Sequence, residues 1–333
     1  MKNASSGADE RESLTSLNRG IDLAWKWIVG MLMLAQTATL PDQLTVTSDG
    51  REIAVVRRLD YEFPLPGLPI VNDVKLSELT NRVEKLANRP PTNAVLDASG
   101  AIVVEKVGYK LDRPAWERSF YRYMVEGGSD SLEAPRRAVY PRVDSELLSS
   151  IKEKMIGYYT TYYNSNNKSR SHNIDLAAKA LNNRYVFPGE SFSFNESLGE
   201  RTASRGYRRA KVIVRGEVSE GIGGGICQVS STLFNAVDRA GLTIVQRYSH
   251  SRNVPYVPPG RDATVSWYGP DFVFSNPYDH PVLIRSFAGA GQTTVLIYSA
   301  DEIHNRPREV PSASKKLPAE VPADRDVNHI IVP

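Results

Sequence analysis

Apolar positions in residues 43–147 follow two different periods. Short β-branched runs predict strands, and apolar residues three or four positions apart predict helices. One helix is predicted to begin near Ser77 and another at Asp112, where Pro114 occupies the first turn. The predicted segments are strands at 44–46 and 53–56, a hairpin over 93–104, and these two helices. We therefore expect a small α+β domain over residues 43–147.

The remaining pattern predicts a second α+β domain over residues 148–300. Leucine, isoleucine and methionine at helical spacing within 144–160 predict a connecting helix. Two more helices are predicted, Ile174–Leu181 capped by Asn173 and Val229–Ala240 closed by Gly241. Strands are predicted at 211–214, 242–246, 263–267, 272–274, 282–287 and 293–298. Strands this closely spaced imply a mostly antiparallel sheet.

The two ends of the chain differ from these domains. Within residues 1–42, the apolar run Trp27–Ala35 is shorter than the roughly 20 residues that span a bilayer. It favours a signal peptide or an uncleaved signal anchor, although a buried amphipathic helix has the same pattern. Residues 301–333 contain five prolines and many charges, which is typical of a flexible tail.

Composition narrows the possible functions. The 333 residues include 41 Lys and Arg against 38 Asp and Glu, so the net charge of +3 is too small to indicate nucleic-acid binding. No zinc-ligand spacing, phosphate-binding loop or serine nucleophile elbow occurs, so we expect no metal and no cofactor. The chain has one cysteine, which cannot form an intramolecular disulfide and suits a bacterial extracytoplasmic protein.

That cysteine, Cys227, follows three glycines and precedes a predicted helix. Backbone N–H groups at a helix N-terminus stabilise a thiolate, which lowers the pKa of a cysteine placed there. The same N–H groups could hold the oxyanion of a tetrahedral intermediate. Gly223, Gly224 and Gly225 would let the chain turn sharply and leave space for a substrate carbonyl. The alternative is a buried, unreactive cysteine beside a structural turn.

Partners for Cys227 are sought among the histidines and carboxylates. His250 is the best candidate base because it follows the strand that returns from the cysteine helix. Asp262 could orient the imidazole, or it could be an ordinary turn residue. Arg261 could bind a substrate carboxylate or pair with Asp262. The hydroxyls that follow the cysteine could donate hydrogen bonds near the thiol or be ordinary first-turn residues; they belong to Ser230, Ser231 and Thr232.

The second domain resembles a VanW domain over about 150 residues. The glycine-to-leucine run Ile222–Leu233 is the most specific part of the resemblance. Its other segments are Arg170, Asn173–Ile174, Pro188–Glu190, Phe192–Asn195, Gly206–Tyr207, His250–Ser251 and Tyr256–Ala263. The first domain resembles, more loosely, the peptidoglycan-binding domain that often precedes VanW domains. That match rests on Pro90–Val95 and Gly108–Asp112.

The resemblance implies a protein of the extracytoplasmic bacterial cell envelope that acts on peptidoglycan stem peptides. VanW is named after vancomycin-resistance clusters, and some proteins with this domain are understood to be L,D-transpeptidases. Carried onto this chain, Cys227 is the nucleophile and His250 is the acid and base. Asp262 stays the candidate, from the residues themselves, for the group that orients His250. The residues expected to bind substrate are the three glycines, Gln228, Ser230, Ser231, Tyr256 and Arg261.

Two other functions fit the same residues. A non-catalytic peptidoglycan-binding or accessory protein would leave the thiol inert. A Cys-His hydrolase of stem peptides would resolve the thioester with water rather than with an amine. The N-terminal segment could attach any of the three to a membrane.

Overall fold

The computed structural model describes residues 43–63, 70–127, 131–214 and 217–316. Within these residues, the chain forms two units. Unit 1 comprises residues up to 91 together with 107–140, and unit 2 comprises 92–106 together with residues from 141 onward. The predicted signal segment, residues 1–42, lies outside the described residues. Across the described part, no helix is both long enough and apolar enough to cross a membrane.

The division between the units differs from the boundary predicted at residue 147. Asn93 explains part of the difference, because its side-chain oxygen accepts hydrogen bonds from the backbone of Arg142 and Val143. The hairpin that follows Asn93 is bound in the same way, since Asn183 accepts from Leu96 N and donates to Leu96 O. Long-range hydrogen bonds therefore attach 92–106 to unit 2, although neighbouring residues in sequence belong to unit 1.

Unit 1 is a small α+β fold, as predicted. Its sheet has the order β2-β1-β6, with β1 antiparallel to β2 and parallel to β6. A second pair, β5 and β7, is antiparallel. The strands are β1 Gln43–Ser48, β2 Arg51–Arg57, β5 Gly108–Leu111, β6 Ser131–Glu133 and β7 Arg136–Val139, and the helices are α1 Arg58–Tyr61, α2 Asp73–Ala87 and α3 Arg113–Glu126.

Two capped helices carry most of the unit 1 core. Asp112 caps α3 as predicted, and its carboxylate accepts from Ala115 N at 3.1 Å. Helix α2 begins one turn earlier than predicted, because Asn72 rather than Ser77 is its cap. Trp116 is completely buried and donates its indole N–H to Thr80 at 2.9 Å, which joins the two helices. Burial of the apolar faces of both helices against β1 stabilises this unit.

Unit 2 contains a four-stranded antiparallel sheet of order β8-β16-β15-β9. A three-stranded antiparallel sheet, β10-β14-β13, and two hairpins, β3–β4 and β11–β12, complete its strands. The bounds are β3 Val95–Leu96, β4 Ile102–Val103, β8 Lys154–Tyr162, β9 Arg184–Val186, β10 Ser191–Ser193, β11 Arg209–Val214, β12 Glu217–Ile222, β13 Thr243–Gln246, β14 Val273–Ser275, β15 Val282–Gly289 and β16 Gln292–Ser299. The helices are α4 Ser145–Ile151, α5 Lys168–Leu181, α6 Phe194–Leu198 and α7 Ile226–Arg239, with a 3₁₀ turn at Ala203–Arg205.

Helix α7 lies at the centre of unit 2. Almost every residue from Ile226 to Val237 is buried, and the helix packs on β8 and β16. Gly157 of β8 permits this approach, because a Cβ at that position would lie 2.4 Å from Ala236 O. The helix ends before Gly241, whose φ of +82° is the left-handed conformation typical of a helix stop. The sheet therefore fixes the position of α7 and of the residues at its N-terminus.

Three predicted elements of unit 2 differ in the structure. The predicted helix over 144–160 ends at Ile151, and Lys154–Tyr162 is a strand that pairs with β16. Helix α5 begins at Lys168 with Asn167 as its cap, so Asn173 lies inside the helix. Residues 263–267 are not a strand. In the first and third cases, hydrogen bonds with distant residues decide the outcome, whereas in the second the side chain of Asn167 caps the helix locally.

The start of the predicted tail packs on unit 2. Ile303 and Val310 are buried in its core. Backbone groups of this segment also bond to the unit, since Arg239 donates to Val310 O at 2.6 Å and Tyr159 OH donates to Pro311 O at 2.8 Å. Residues 301–316 therefore belong to the folded unit, and 317–333 lie outside the described residues.

Candidate active site

The glycine run turns the chain from β12 into α7. Gly223 and Gly225 have φ values of +86° and +109°, a region that disfavours residues with a Cβ. Gly224 is needed for space, because a Cβ there would lie 2.5 Å from Lys211 O. Asn173 holds this turn by donating to Gly224 O at 3.0 Å. The turn places Cys227 in the first turn of α7. The N–H groups of Ile226 and Gln228 bond to Gly223 O and Gly225 O, whereas the Cys227 N–H has no partner among the described hydrogen bonds.

The segment 261–265 lies along α7 rather than in a sheet. Ser231 Oγ accepts from Ala263 N at 2.9 Å, and Ser230 Oγ donates to Ala263 O. Asn235 donates to Arg261 O at 2.8 Å. Because helix side chains supply these hydrogen bonds, the segment needs no neighbouring strand, and the predicted strand at 263–267 does not form.

His250 and Asp262 are joined by two hydrogen bonds. His250 Nδ1 and the His250 backbone N–H both lie 2.6 Å from Asp262 Oδ2. Both side chains are almost completely buried, with exposed fractions of 5% and 8%. A carboxylate bonded to Nδ1 fixes the imidazole orientation and leaves Nε2 for other chemistry. The structure thus brings together two residues that are 12 positions apart in sequence.

Cys227 interacts with this pair. Burial raises the pKa of the Cys227 thiol, but hydrogen bonds with His250 and the Val265 backbone and the charge of His250 lower it by more, so the net pKa is below its ordinary value. The sulfur also lies 3.5 Å from Val265 O and 3.8 Å from Thr264 Oγ1.

The pKa of His250 is shifted in the opposite direction. Burial lowers the pKa of His250, whereas its hydrogen bonds and charge interactions with Cys227 and Asp262 raise it, and the net pKa is above its ordinary value. A lowered cysteine pKa and a raised histidine pKa together favour a thiolate–imidazolium pair. Such a pair is the nucleophile and proton donor of cysteine-dependent acyl transfer.

Cys227 lies in the wall of a cleft of about 760 Å³. Cys227, His250 and Tyr256 line it together with Gly223 and Gly225. The lining also includes the segment Thr264, Val265, Ser266, Trp267, Tyr268 and Pro270. Trp267 and Tyr268 are exposed aromatic residues that make an edge-on contact with ring centroids 6.5 Å apart. The volume suits an extended peptide-sized ligand.

Basic residues outnumber acidic ones around the cleft. Arg170, Arg201 and Lys211 line it, against one lining carboxylate, Glu200. Arg170 donates to Gln228 Oε1 at 2.8 Å. This balance favours an anionic ligand over a cationic one.

Several residues expected to bind substrate have structural roles. Ser230 and Ser231 are buried and bond to Cys227 O and to Ala263, so they support the site from behind. Arg261 does not line the cleft; it pairs with Asp238 at 2.7 Å and donates to Asn235 at 2.7 Å. Its pairing with Asp262, the other interpretation of the sequence, is also absent from the described contacts.

Four of the other residues expected to bind substrate line the cleft, and the fifth, Gly224, does not. Gln228 is buried at the cleft wall and donates to Thr161 and to Tyr162 O. Tyr256 also lines the wall, and burial raises its pKa. Gly224 is buried beneath the turn, whereas Gly223 and Gly225 reach the cleft.

Sequence reasoning missed Arg201, Trp267 and Tyr268. These residues lie in loops whose course depends on distant contacts, and no local pattern distinguishes them. Two other histidines that the structure describes do not line the cleft: His172 bonds to Gly206 O, and His280 bonds to Asp279. In the described part of the chain, no group of three His, Cys, Asp or Glu side chains is arranged to hold a metal ion.

Comparison with known proteins identifies similar chains. A family model described as VanW like protein matches residues 169–298. The uncharacterized protein YoaR of Bacillus subtilis (strain 168) is 54% identical over 298 residues, which cover 90% of this chain and 98% of YoaR. The vancomycin B-type resistance protein VanW of Enterococcus faecalis (strain ATCC 700802 / V583) is 37% identical over 78 residues, 23% of this chain and 28% of that protein. No solved structure matches the chain.

Proposed function

Because this chain belongs to the VanW-like family, we propose that it modifies the bacterial cell wall as a cysteine-dependent acyl transferase of peptidoglycan stem peptides. The observation that carries this proposal is the Cys227–His250–Asp262 arrangement at the edge of an open cleft. An accessory protein would have no use for a half-buried thiol whose pKa is lowered by a histidine held by a carboxylate.

The proposed reaction has two acyl-transfer steps. The Cys227 thiolate attacks the carbonyl carbon of the third stem residue and forms a C–S bond. The C–N bond to the terminal D-alanine breaks, and the departing nitrogen takes a proton from His250. An amine of a neighbouring stem then attacks the thioester and gives its proton to His250, and the C–S bond breaks to restore the thiolate.

The residues around the thiol support both steps. The Cys227 backbone N–H, which has no partner among the described hydrogen bonds, would stabilise the oxyanion of each tetrahedral intermediate. Asp262 keeps His250 in the orientation in which Nδ1 is occupied, so that Nε2 exchanges the proton. The wall-binding role expected for unit 1 and the extracytoplasmic location stay predictions that accompany this proposal.

The test uses the purified protein with a tetrapeptide stem and a second stem that supplies an amine. Mass spectrometry is expected to detect the cross-linked product and free D-alanine. Cys227→Ala should abolish both products, and His250→Ala should slow their formation about 10²- to 10⁴-fold. His172→Ala is the matched control, because His172 is an exposed histidine outside the cleft.

Three results would separate the alternatives. Release of D-alanine with a tripeptide as the other product indicates a hydrolase. Cross-linking that survives Cys227→Ala would refute cysteine catalysis. An intact protein that makes no product and whose thiol resists iodoacetamide at neutral pH would favour the accessory role.

A further inference from the structure

Arg201 is a half-buried cation at the cleft without a carboxylate partner among the described residues. Its Nη2 donates to Asn195 Oδ1 at 2.6 Å, and Nη1 lies 3.5 Å from Gly199 O, so both contacts are with uncharged oxygens. Arg261, in contrast, pairs with Asp238, whereas Arg285 is held like Arg201 by uncharged oxygens but does not line the cleft. A charge held away from water without an opposite charge is unfavourable unless a ligand supplies one.

The position of Arg201 is fixed by its surroundings. The guanidinium carbon lies 6.0 Å from the centre of the Phe194 ring. Asn195, its hydrogen-bond partner, is buried and donates to Ser266 O at 2.9 Å and to Pro270 O at 3.2 Å. Those two acceptors belong to the segment that lines the cleft. Arg201 is thus held at the cleft by a side chain that is itself held, which is typical of a preorganised binding group.

Arg201 also faces the reactive centre. It lines the same cleft as Cys227, and the two side chains interact electrostatically. Burial lowers the pKa of Arg201, and its charge interactions with Tyr207, Cys227 and Asp271 offset this only in part. A guanidinium fork binds a carboxylate through two parallel hydrogen bonds.

We propose that Arg201 binds a carboxylate of the acyl donor and thereby selects the stem peptide that Cys227 attacks. This inference rests on the proposed function and gives Arg201 the role that the sequence suggested for Arg261. A tetrapeptide stem carries such a group in two places. One is the C-terminal carboxylate of the departing D-alanine, and the other is a side-chain carboxylate on a diamino acid at the third position.

The test compares matched acyl donors. In the first pair, one donor has a free C-terminal carboxylate and the other has a C-terminal carboxamide. In the second pair, the third residue of one donor has a side-chain carboxylate and that of the other donor does not. The parent protein should prefer one charged donor of a pair, and that pair identifies the source. Arg201→Gln should lower kcat/KM for this donor about 10- to 100-fold and bring the preference close to one. Arg201→Lys should keep part of the preference, because it keeps the charge but loses the fork.

Two controls separate recognition from structure. Arg184→Gln removes a positively charged side chain whose hydrogen bonds go to backbone oxygens outside the cleft. It should change neither the rate of acyl transfer nor the preference for the charged donor. The rate of iodoacetamide reaction with Cys227 in Arg201→Gln measures how far loss of the positive charge lowers thiolate reactivity, and that factor should be the same for charged and uncharged donors. Equal losses on charged and uncharged donors, or a change in thiol reactivity with the preference intact, would overturn the proposal.

A binding measurement keeps this proposal independent of the acyl-transfer reaction. The same donors are titrated by calorimetry into Cys227→Ala and into Cys227→Ala combined with Arg201→Gln. Loss of the charged-donor preference in the double variant supports carboxylate recognition even if no product forms. Equal affinity of both proteins for both donors would refute recognition by Arg201, whatever the outcome of the activity assay.

Discussion

Replacement of Asp262 by asparagine tests whether a carboxylate makes Cys227 reactive. Asp262 Oδ2 accepts from both Nδ1 and the backbone N–H of His250 at 2.6 Å. In Asp262→Asn the amide oxygen can still accept both hydrogen bonds, so the geometry is kept while the negative charge is lost. The pKa of His250 should fall, because the carboxylate no longer stabilises the imidazolium. The pKa of Cys227 should then rise, because the imidazolium no longer stabilises the thiolate.

The magnitude follows from the type of hydrogen bond that changes. A hydrogen bond to a charged group contributes about 1.5–3 kcal/mol and one between neutral groups about 0.5–1.5 kcal/mol. The exposed fraction of Asp262 is only 8%, so water replaces little of the lost interaction. A difference of about 1–1.5 kcal/mol corresponds to roughly a five- to tenfold smaller thiolate population near neutral pH. The rate of thiol alkylation should fall by the same factor.

The assay is iodoacetamide alkylation of Cys227 followed by mass spectrometry across a range of pH. The Asp262→Asn curve should shift to higher pH and meet the parent curve where every thiol is ionised. Asp238→Asn is the matched control, because Asp238 is a carboxylate on α7 that pairs with Arg261 and Arg308 away from the cleft. It should lower the melting temperature and leave the alkylation curve unchanged.

Two results would contradict this reasoning. A curve for Asp262→Asn that superimposes on the parent curve would mean that the carboxylate does not set the ionisation of the thiol. The same shift in Asp238→Asn would mean that general destabilisation, not the loss of a specific charge, exposes or ionises Cys227.

Two further predictions concern the support of the site. Gly224→Ala should lower the free energy of unfolding by about 1–3 kcal/mol in denaturant titration, because its Cβ would lie 2.5 Å from Lys211 O. Gly189→Ala, where φ is +75° and no atom lies within 4 Å, should cost only about 1 kcal/mol, and equal losses would exclude the clash as the cause. Ser231→Ala should cost about 1–3 kcal/mol, because Ala263 N–H loses its acceptor, and should slow acyl transfer as the 261–265 segment loosens. Ser197→Ala is the control, because Ser197 is more exposed, and it should leave the rate of acyl transfer unchanged. An unchanged rate in Ser231→Ala would show that the hydrogen bond from Ala263 N–H to Ser231 does not position Asp262.

The local pattern of the sequence was sufficient for the elements whose stability is mainly local. Helix α3 begins at the predicted cap, Asp112, because that carboxylate bonds to an N–H only three residues away. The spacing of apolar residues and the residues that end each element were enough to predict the α+β class. They also predicted helix α7 after the glycines and the strands corresponding to β13 and β15. The glycine run predicted a special turn, since positive φ values favour glycine wherever they occur.

Other features depend on residues far apart in the chain. Residues 154–162 have a helical spacing of apolar positions, yet they form a strand because β16 supplies hydrogen-bond partners more than 130 positions later. The segment 263–267 is not a strand, because Ser230 and Ser231 of α7 bond to the backbone of Ala263 while Thr264 N–H bonds to Tyr248 O. The arginine at the cleft also differs from the one expected, since Asp238 holds Arg261 while the loop after α6 brings Arg201 to the cleft.

The sequence by itself therefore determined which residue types were available for chemistry: one cysteine at a helix start and a small set of histidines and carboxylates. Only the tertiary structure decided which of them meet. Cys227 gains its interaction with His250 because the chain returns along β13 after α7, and His250 gains Asp262 because α7 holds the 261–265 segment beside it. Local backbone preferences act over a few residues, whereas the proximity that changes a pKa is set by how helices and strands pack.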